Sequence, residues 1–420
     1  MHPSWLAPFS VKAFRLQWPA ALVTVWALEM ETLILGWYVL VETGSVVLLT
    51  LFGASLYLGT LVAPLLGVVA DRIGHRNTLV LMRIWYMLLA IVLFGLAQAG
   101  ALAPGIVLVV ALLNGLVRPS DLAIRSAFMA GTLPRELLTG AMALERTTID
   151  SARVAGALVG ASLFALLGIA STYIVVVSFY VIGVSLTFAA ARAARPLGPP
   201  ADAAAGVALP MRASFWHELR EGVGFVWARP VLRATIWLAV LVNLTAYPLS
   251  NGLLPYAARE VYFVDERGLA LLVASFAGGA LLGSFGFSTF GRRVPLARLM
   301  LGSAVVWYAM LVIFGQMSQM HLGMTFLFLG GLAQSLCMIA MVVLILRAVT
   351  PEVSGRVMGV RILAIYSLPL GLLTAGWLIE RIGFASTVSG YALFGLAMVL
   401  VLTLRFHADL WRVEAQANSG

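Results

Sequence analysis

"GIASTY" (168–173) returns as "GFASTV" (383–388), 215 residues further along the chain. At about the same offset Gly36 meets Gly252, Gly67 meets Gly283, Gly156 meets Gly371, and "LPRELLTG" (133–140) finds a counterpart in "TPEVSG" (350–355). One such match is weak, because short apolar words repeat by chance. Several at a single offset argue for a duplicated half-chain. A helix needs about 20 apolar residues to cross a bilayer, and the apolar runs, read against Gly, Pro and charge, give six spans per half. They fall at 18–41, 46–70, 78–99, 104–128, 139–166, 170–191, 231–256, 267–290, 296–317, 321–346, 356–379 and 384–405. The predicted fold is an all-α membrane protein with twelve transmembrane helices in two pseudo-symmetric six-helix bundles (6+6). The bundles occupy 1–191 and 231–420, with a cytoplasmic linker and amphipathic helix at 192–230 between them.

Composition agrees. The 420 residues are 61% hydrophobic and 11% charged, with a mean hydropathy of +0.99, whereas soluble domains carry roughly 25% charged residues. A net charge of +9 would suggest nucleic acid in a soluble chain. Here the arginines sit between spans and sort by side. Arg72, Arg76, Arg135, Arg192, Arg195, Arg212, Arg220, Arg292, Arg293 and Arg347 fall on one side, and Arg259, Arg267 and Arg381 on the other. By the positive-inside rule the first side, with both termini (Lys12, Arg15, Arg412), is cytoplasmic. The bilayer is therefore the expected partner, and nucleic acid is not. Cys337 is the only cysteine, so no intramolecular disulfide forms, and the five histidines lack ligand-like spacing. No metal or other cofactor is expected. "MHPSWLAPFSVKAFRLQ" (1–17) reads as an amphipathic tail on the membrane surface, not a cleavable signal.

Between the halves, "RAARPLGPPADAAAGVALPMR" (192–212) is rich in Ala, Pro and Gly and reads as a flexible linker. "SFWHELREGVGFVWARP" (214–230) then sets Phe215, Leu219, Val223, Val226 and Trp227 against His217, Glu218, Arg220 and Glu221. That pattern predicts a helix lying in the interface.

The loop after the second span reads "GVVADRIGHRNT" (67–78). Gly67 would let a neighbouring helix approach closely, and Gly74 permits a tight turn. Asp71, at a helix end, can accept from the positive N-terminus of another helix; the eleventh span, starting near Gly355 with Arg356 and Arg361, is the expected partner. In spacing, Gly67, Asp71, Arg72, Gly74 and Arg76 resemble the loop signature of the major facilitator superfamily. The resemblance covers essentially the whole chain. It implies alternating access around a central site, as parallel repeats also suggest, with Asp71, Arg72 and Arg361 in a cytoplasmic gate. The second copy, "GSFGFSTFGRR" (283–293), has Phe287 where the first has Asp71, so the latch is one-sided. Within the superfamily, "LGWYVLVETGSVVLLTL" (35–51) is similar to the bacterial enterobactin-exporter-like and macrolide-efflux-like branch. So is the set Pro119, Leu133, Pro134, Leu138, Ala143, Leu144, Arg153, Gly156 and Gly160. The Gly-Pro pair usual in the fifth span of exporters is Gly156–Ala157 here.

Intramembrane charge survives only where it is paired or wet. "NGLVRPSDLAIRS" (114–126) places Arg118, Asp121 and Arg125 in the fourth span, and the fifth answers with Glu145, Arg146, Asp150 and Arg153. The two helices are antiparallel about Leu133–Pro134, which sets Asp121 near Asp150 and Arg125 near Glu145 and Arg146. With Glu29 and Glu31 of the first span the count is four arginines against five acids, a cluster able to hold one proton or cation. It reads equally as a fixed network tying the bundle together. Glu29 and Glu31 are two apart, about 200° around a helix. One should line the pathway, the other should pair with a neighbour, and the stripe Val25, Trp26, Glu29, Leu33 and Gly36 favours Glu29 for the pathway. The proton-coupling candidates are thus Glu29, Glu31, Asp121 and Asp150. In the second half Asn243, Tyr247 and Asn251 share one face, with Trp237 and Tyr256 at similar angles. They suit an uncharged or amphiphilic solute, or simply helix packing.

The sequence reading is a monomeric, proton-coupled exporter of small amphiphilic or hydrophobic molecules in the bacterial inner membrane. Its rivals are uptake or exchange of an anion held by Arg118, Arg125 and Arg153, and a non-transporting sensor or assembly partner. No Ser/His, His/Glu or paired-acid arrangement of catalytic spacing occurs in the spans, so an enzyme is not expected.

Overall fold

The computed structural model describes residues 4–61, 63–194, 215–290, 295–349 and 351–417, and every regular element among them is helical. After a 3-10 turn at Ser4–Ser10, α1 (Lys12–Thr43) is the first span. The second is built from α2 (Val46–Ser55), a 3-10 turn (Leu58–Leu61) and α3 (Ala63–Ile73). The third and fourth are α4 (His75–Gln98) and α5 (Pro104–Ala130), and α6 (Arg135–Ala193) holds the fifth and sixth. In the second half α7 (Phe215–Ala228) leads into the seventh span. That span is α8 (Pro230–Thr245), a π turn (Pro248–Gly252), α9 (Leu254–Tyr256) and a second π turn (Ala257–Val261). Next come α10 (Glu266–Phe290), α11 (Leu296–Phe314) and α12 (Met320–Arg347). The eleventh span is α13 (Pro351–Leu363), a 3-10 turn and α14 (Ser367–Ile382), and α15 (Phe384–Ala417) is the twelfth. Among the described residues nine helices are long and apolar enough to cross a membrane, ten with the bent pair α7–α8. The other span held by α6 and the one built from α2–α3 complete twelve.

The chain divides into two compact units, residues 1–43 with 55–213, and residues 44–54 with 214–420. The repeat is visible inside each. Gly168 breaks α6 with φ 75°, and Gly383 separates α14 from α15 with φ 81°; glycine adopts this region at little steric cost. At each break a threonine four residues on, Thr172 or Thr387, donates to the glycine carbonyl at 2.8 Å. The second matched pair works alike. A Cβ on Gly156 would sit 3.0 Å from Glu29 Cβ and 3.3 Å from the Trp26 carbonyl, and one on Gly371 would run into the Leu244 carbonyl. In each unit a glycine of the penultimate span lets the unit's first helix come close.

Elsewhere the structure departs from some expectations and agrees with others. A Cβ on Gly67 would meet nothing within 4 Å among the described residues, so no close helix approach depends on it here, whereas Gly74 does carry the turn, at φ 87°. The N-terminal segment packs apolar side chains onto protein: Phe9, Phe14 and Trp18 meet Met129, Leu133, Leu138 and Ala141 around the turn between α5 and α6. Helix α7 is set off from α8 by a bend of 114° across Arg229, which is extended (φ −117°, ψ 115°). Val226 is buried, Glu221 reaches Arg356 of α13 at 2.7 Å, and Trp227 is 51% exposed beside Trp237. The linker segment 195–214 lies outside the described residues.

Candidate functional site

In the first unit Arg118, Asp121, Arg125 and Glu145 of the fourth and fifth spans separate into two groups. Arg118 leaves the ladder and reaches α1, giving Nη2 to Glu29 Oε1 at 3.1 Å and Nη1 to Thr32 Oγ1 at 2.8 Å. Both side chains of that ion pair keep partial exposure, 25% for Arg118 and 18% for Glu29. Glu29 belongs to the partly exposed stripe of α1 that includes Leu22, Trp26 and Thr32, while Val25 and Leu33 are buried. Trp26 stands one turn away with its ring edge toward Phe179 and its indole Nε1 buried without a hydrogen-bond partner.

The other group is buried. Asp121 lies 3.0 Å from Arg83 and 3.8 Å from Arg125, and Arg125 lies 2.7 Å from Glu145. Arg83 of α4 was absent from the sequence count. With it the sequence count becomes five arginines against five acids. A lone arginine within "LVLMRIWYMLL" (79–89) needs a partner on the same cost argument as Arg118, and that is the signal the sequence offered. The quartet Arg83, Asp121, Arg125 and Glu145 is electrically neutral. Its pairs are close, yet Arg125 Nε and Nη1 and Arg83 Nε lack aligned hydrogen bonds.

Glu31 is separate from both groups. It is 3% exposed, accepts from Tyr180 at 2.8 Å and Tyr173 at 3.3 Å, and has no Arg or Lys at ion-pair distance among the described residues. The two glutamates thus divide as their angular separation requires, one on the exposed stripe and one against a neighbouring helix. Arg153 is half-buried on the same long helix. The side chains of Asp71, Arg146, Asp150 and Asn251 lie outside the described residues, while Arg72 and Arg76 are exposed and Arg361 is half-buried.

The second unit presents an uncharged site. Tyr247 sets its ring edge-on to Trp307 at 5.2 Å and accepts from Gln334 Nε2 at 2.7 Å. Asn243 turns its amide N–H back to the Ala239 carbonyl. Trp307 and Gln334, from α11 and α12, were not singled out from sequence, because neutral polar side chains inside apolar runs leave no periodic trace. Trp307 Nε1 is buried and unpartnered. Trp237 and Tyr256 do not join this group: the first sits beside Trp227 and the second stacks on Phe384 at 5.7 Å.

The family model described as Major Facilitator Superfamily matches residues 18–369. The chain belongs to the major facilitator superfamily. Its fold is that of superfamily transporters of known structure. The POT family transporter PepTSo matches with a TM-score of 0.71 at 12% identity, covering 95% of this chain and 98% of that one. The nucleoside transporter NupG gives 0.69 at 16% identity over 95% and 99%. A D-xylose-proton symporter gives 0.68 at 13% identity over 93% and 96%. A search of curated proteins finds no match. Superfamily membership and these neighbours point to a membrane-embedded transporter of small molecules, not to an enzyme.

Proposed function

We propose a secondary active transporter that works by alternating access and exports small amphiphilic or hydrophobic molecules, drug- or siderophore-like, in exchange for protons. The observation that carries the reading is the Glu29–Arg118 pair, an intramembrane ion pair held at 3.1 Å on the partly exposed stripe of α1. A proton arriving at Glu29 removes one charge of the pair and leaves Arg118 with Thr32 alone. The stripe then changes from paired to singly charged, and that difference is what a coupling site must supply. Trp26 beside the pair, and Asn243, Tyr247 and Gln334 in the second unit, offer aromatic faces and neutral hydrogen bonds to the solute; Asn251 completes their stripe by register. Asp71, with Gly67, Arg72, Gly74, Arg76 and Arg361, is the proposed cytoplasmic gate, on the strength of the family's loop signature. The enterobactin-exporter-like and macrolide-efflux-like branch, the bacterial inner membrane, cytoplasmic termini and a monomeric state belong to the same reading.

Anion uptake through Arg118, Arg125 and Arg153 as joint ligands has less support, because Arg125 is buried and committed to Asp121 and Glu145. That commitment also favours a fixed role for Asp121.

The test is proton movement in liposomes containing the purified protein, with amphiphiles added to an imposed pH gradient. Flux triggered by an amphiphile in wild type and lost in Glu29→Gln is the expected result. Undiminished flux in the mutant removes Glu29 from coupling. If no amphiphile moves protons through wild type, the exporter reading fails and anion exchange at Arg118 takes its place.

A further inference from the structure

Glu31 takes no part in the site proposed above, and its surroundings are unusual for a membrane carboxyl. Both oxygens face tyrosine hydroxyls two turns apart on one face of α6, and Tyr173 and Tyr180 are as buried as the glutamate. The charged groups that face it are few. Arg118 of α5 is held by Glu29 and Thr32, Glu29 lies on the far side of α1, and α4 contributes the phenol of Tyr86. Burying a carboxylate without a cation is costly. Phenols and a carboxyl, however, form a group that can pass a proton along hydrogen bonds.

The structure continues the group inward. The ring of Tyr180 stands 6.1 Å from that of Tyr86, and the Tyr86 hydroxyl is buried without a hydrogen-bond partner. Tyr86 is one turn of α4 from Arg83, where the Arg83–Asp121–Arg125–Glu145 quartet begins. Asn114 Oδ1 and Ser120 Oγ of α5 are also buried and unpartnered. Unpartnered buried polar atoms are where internal water resides in proteins. Together they mark a polar column through the interior of the first unit, from Glu31 by way of Tyr180 and Tyr86 to the quartet. It does not use the exposed stripe that carries Glu29.

We propose that Glu31 is a second proton-binding site, served by Tyr180 and Tyr86 through this internal column and distinct from the Glu29–Arg118 pair. It extends the proposed proton coupling without depending on Glu29 or on the nature of the solute. The step is a proton transfer only: a proton leaves a column water or the Tyr180 hydroxyl for a Glu31 oxygen, and the donor is reprotonated from the side of the quartet.

Infrared difference spectroscopy of the purified full chain, stepped through the neutral pH range in H2O and D2O, reads this directly. The expected result is a carboxyl C=O band that changes with pH, moves in D2O, persists in Glu29→Gln and is lost in Glu31→Gln. In Tyr180→Phe, which keeps the ring and its packing, the band should persist at a shifted frequency, because one hydrogen bond to the carboxyl is gone. In Tyr86→Phe it should rise more slowly after the pH step. A band that survives in Glu31→Gln, or a Glu31 carboxyl that keeps one protonation state throughout, overturns the proposal. Because no transported solute is present, this outcome is separate from that of the liposome experiment.

Discussion

Asp121 is shared by two guanidinium groups in a setting none of them can leave for water. Removing its charge leaves Arg83 and Arg125 facing each other with Glu145 alone for compensation. Breaking a buried pair in this way costs about 3–5 kcal/mol, while replacing both partners by apolar groups is often near neutral. Asp121→Asn should therefore lower the unfolding temperature of the purified protein strongly, and Arg83→Met combined with Asp121→Leu should recover most of the loss. Equal thermal stability of Asp121→Asn and wild type would show that the quartet is not a structural tie. Glycines give a contrasting pair. Gly371→Ala drives a methyl into the Leu244 backbone and should cost about 1–3 kcal/mol, whereas Gly67→Ala meets nothing within 4 Å among the described residues and should be neutral or gain up to about 1 kcal/mol from helix propensity. At this scale the sequence was most readable where cost is high. Two glutamates two residues apart had to part company, and a helical wheel suffices to say so. Arg83, Trp307 and Gln334 could not be assigned partners, because a partner is a fact about the neighbouring helix and not about the residue.

Helix ends and breaks follow from a few residues. Gly168 and Gly383 occupy the same place in the two repeats with the same backbone sign. With ψ of 176° and 167° both lie in the extended positive-φ region that is essentially reserved to glycine, where a side chain costs about 1–3 kcal/mol, so Gly168→Ala and Gly383→Ala should each lower stability by that amount. As the two lie in different units, the double mutant should show the sum. A clear departure from additivity in thermal unfolding would mean that the two turns are coupled. The existence of twelve spans was legible because apolar runs of sufficient length leave little choice in lipid. Their internal construction was not. The second and seventh spans break into short pieces around Pro64, Pro248 and Pro255, but proline says only that hydrogen bonds are lost, not whether a 3-10 or a π turn replaces them. The 114° bend between α7 and α8 comes from one extended residue, Arg229, ahead of Pro230, where the α conformation is disfavoured.

On the scale of the molecule, the first helix of the second span packs within the second unit. A Cβ on Gly376 would lie 3.1 Å from Thr50 Cβ, and Gly53 and Ala54 lie against Leu372. That separation is close to the roughly 3.5–4.5 Å a disulfide needs. The pair Thr50→Cys and Gly376→Cys should crosslink under mild oxidation and stop solute-triggered proton flux, with recovery on reduction. Cys337 is buried and should not compete. Flux that continues through the crosslinked protein would mean that this packing persists throughout the cycle.

The same feature bears on how the chain can be taken apart. Residues 44–54 belong by sequence to the first repeat and by packing to the second unit. A cut between the repeats, anywhere in 195–214, would release two fragments, the first of which carries a helix that the second requires. This is the arrangement of a domain-swapped pair, in which an exchanged arm holds two bodies together. Co-expressed fragments 1–204 and 205–420 should copurify without a covalent link, and deleting 44–54 from the first should abolish that recovery.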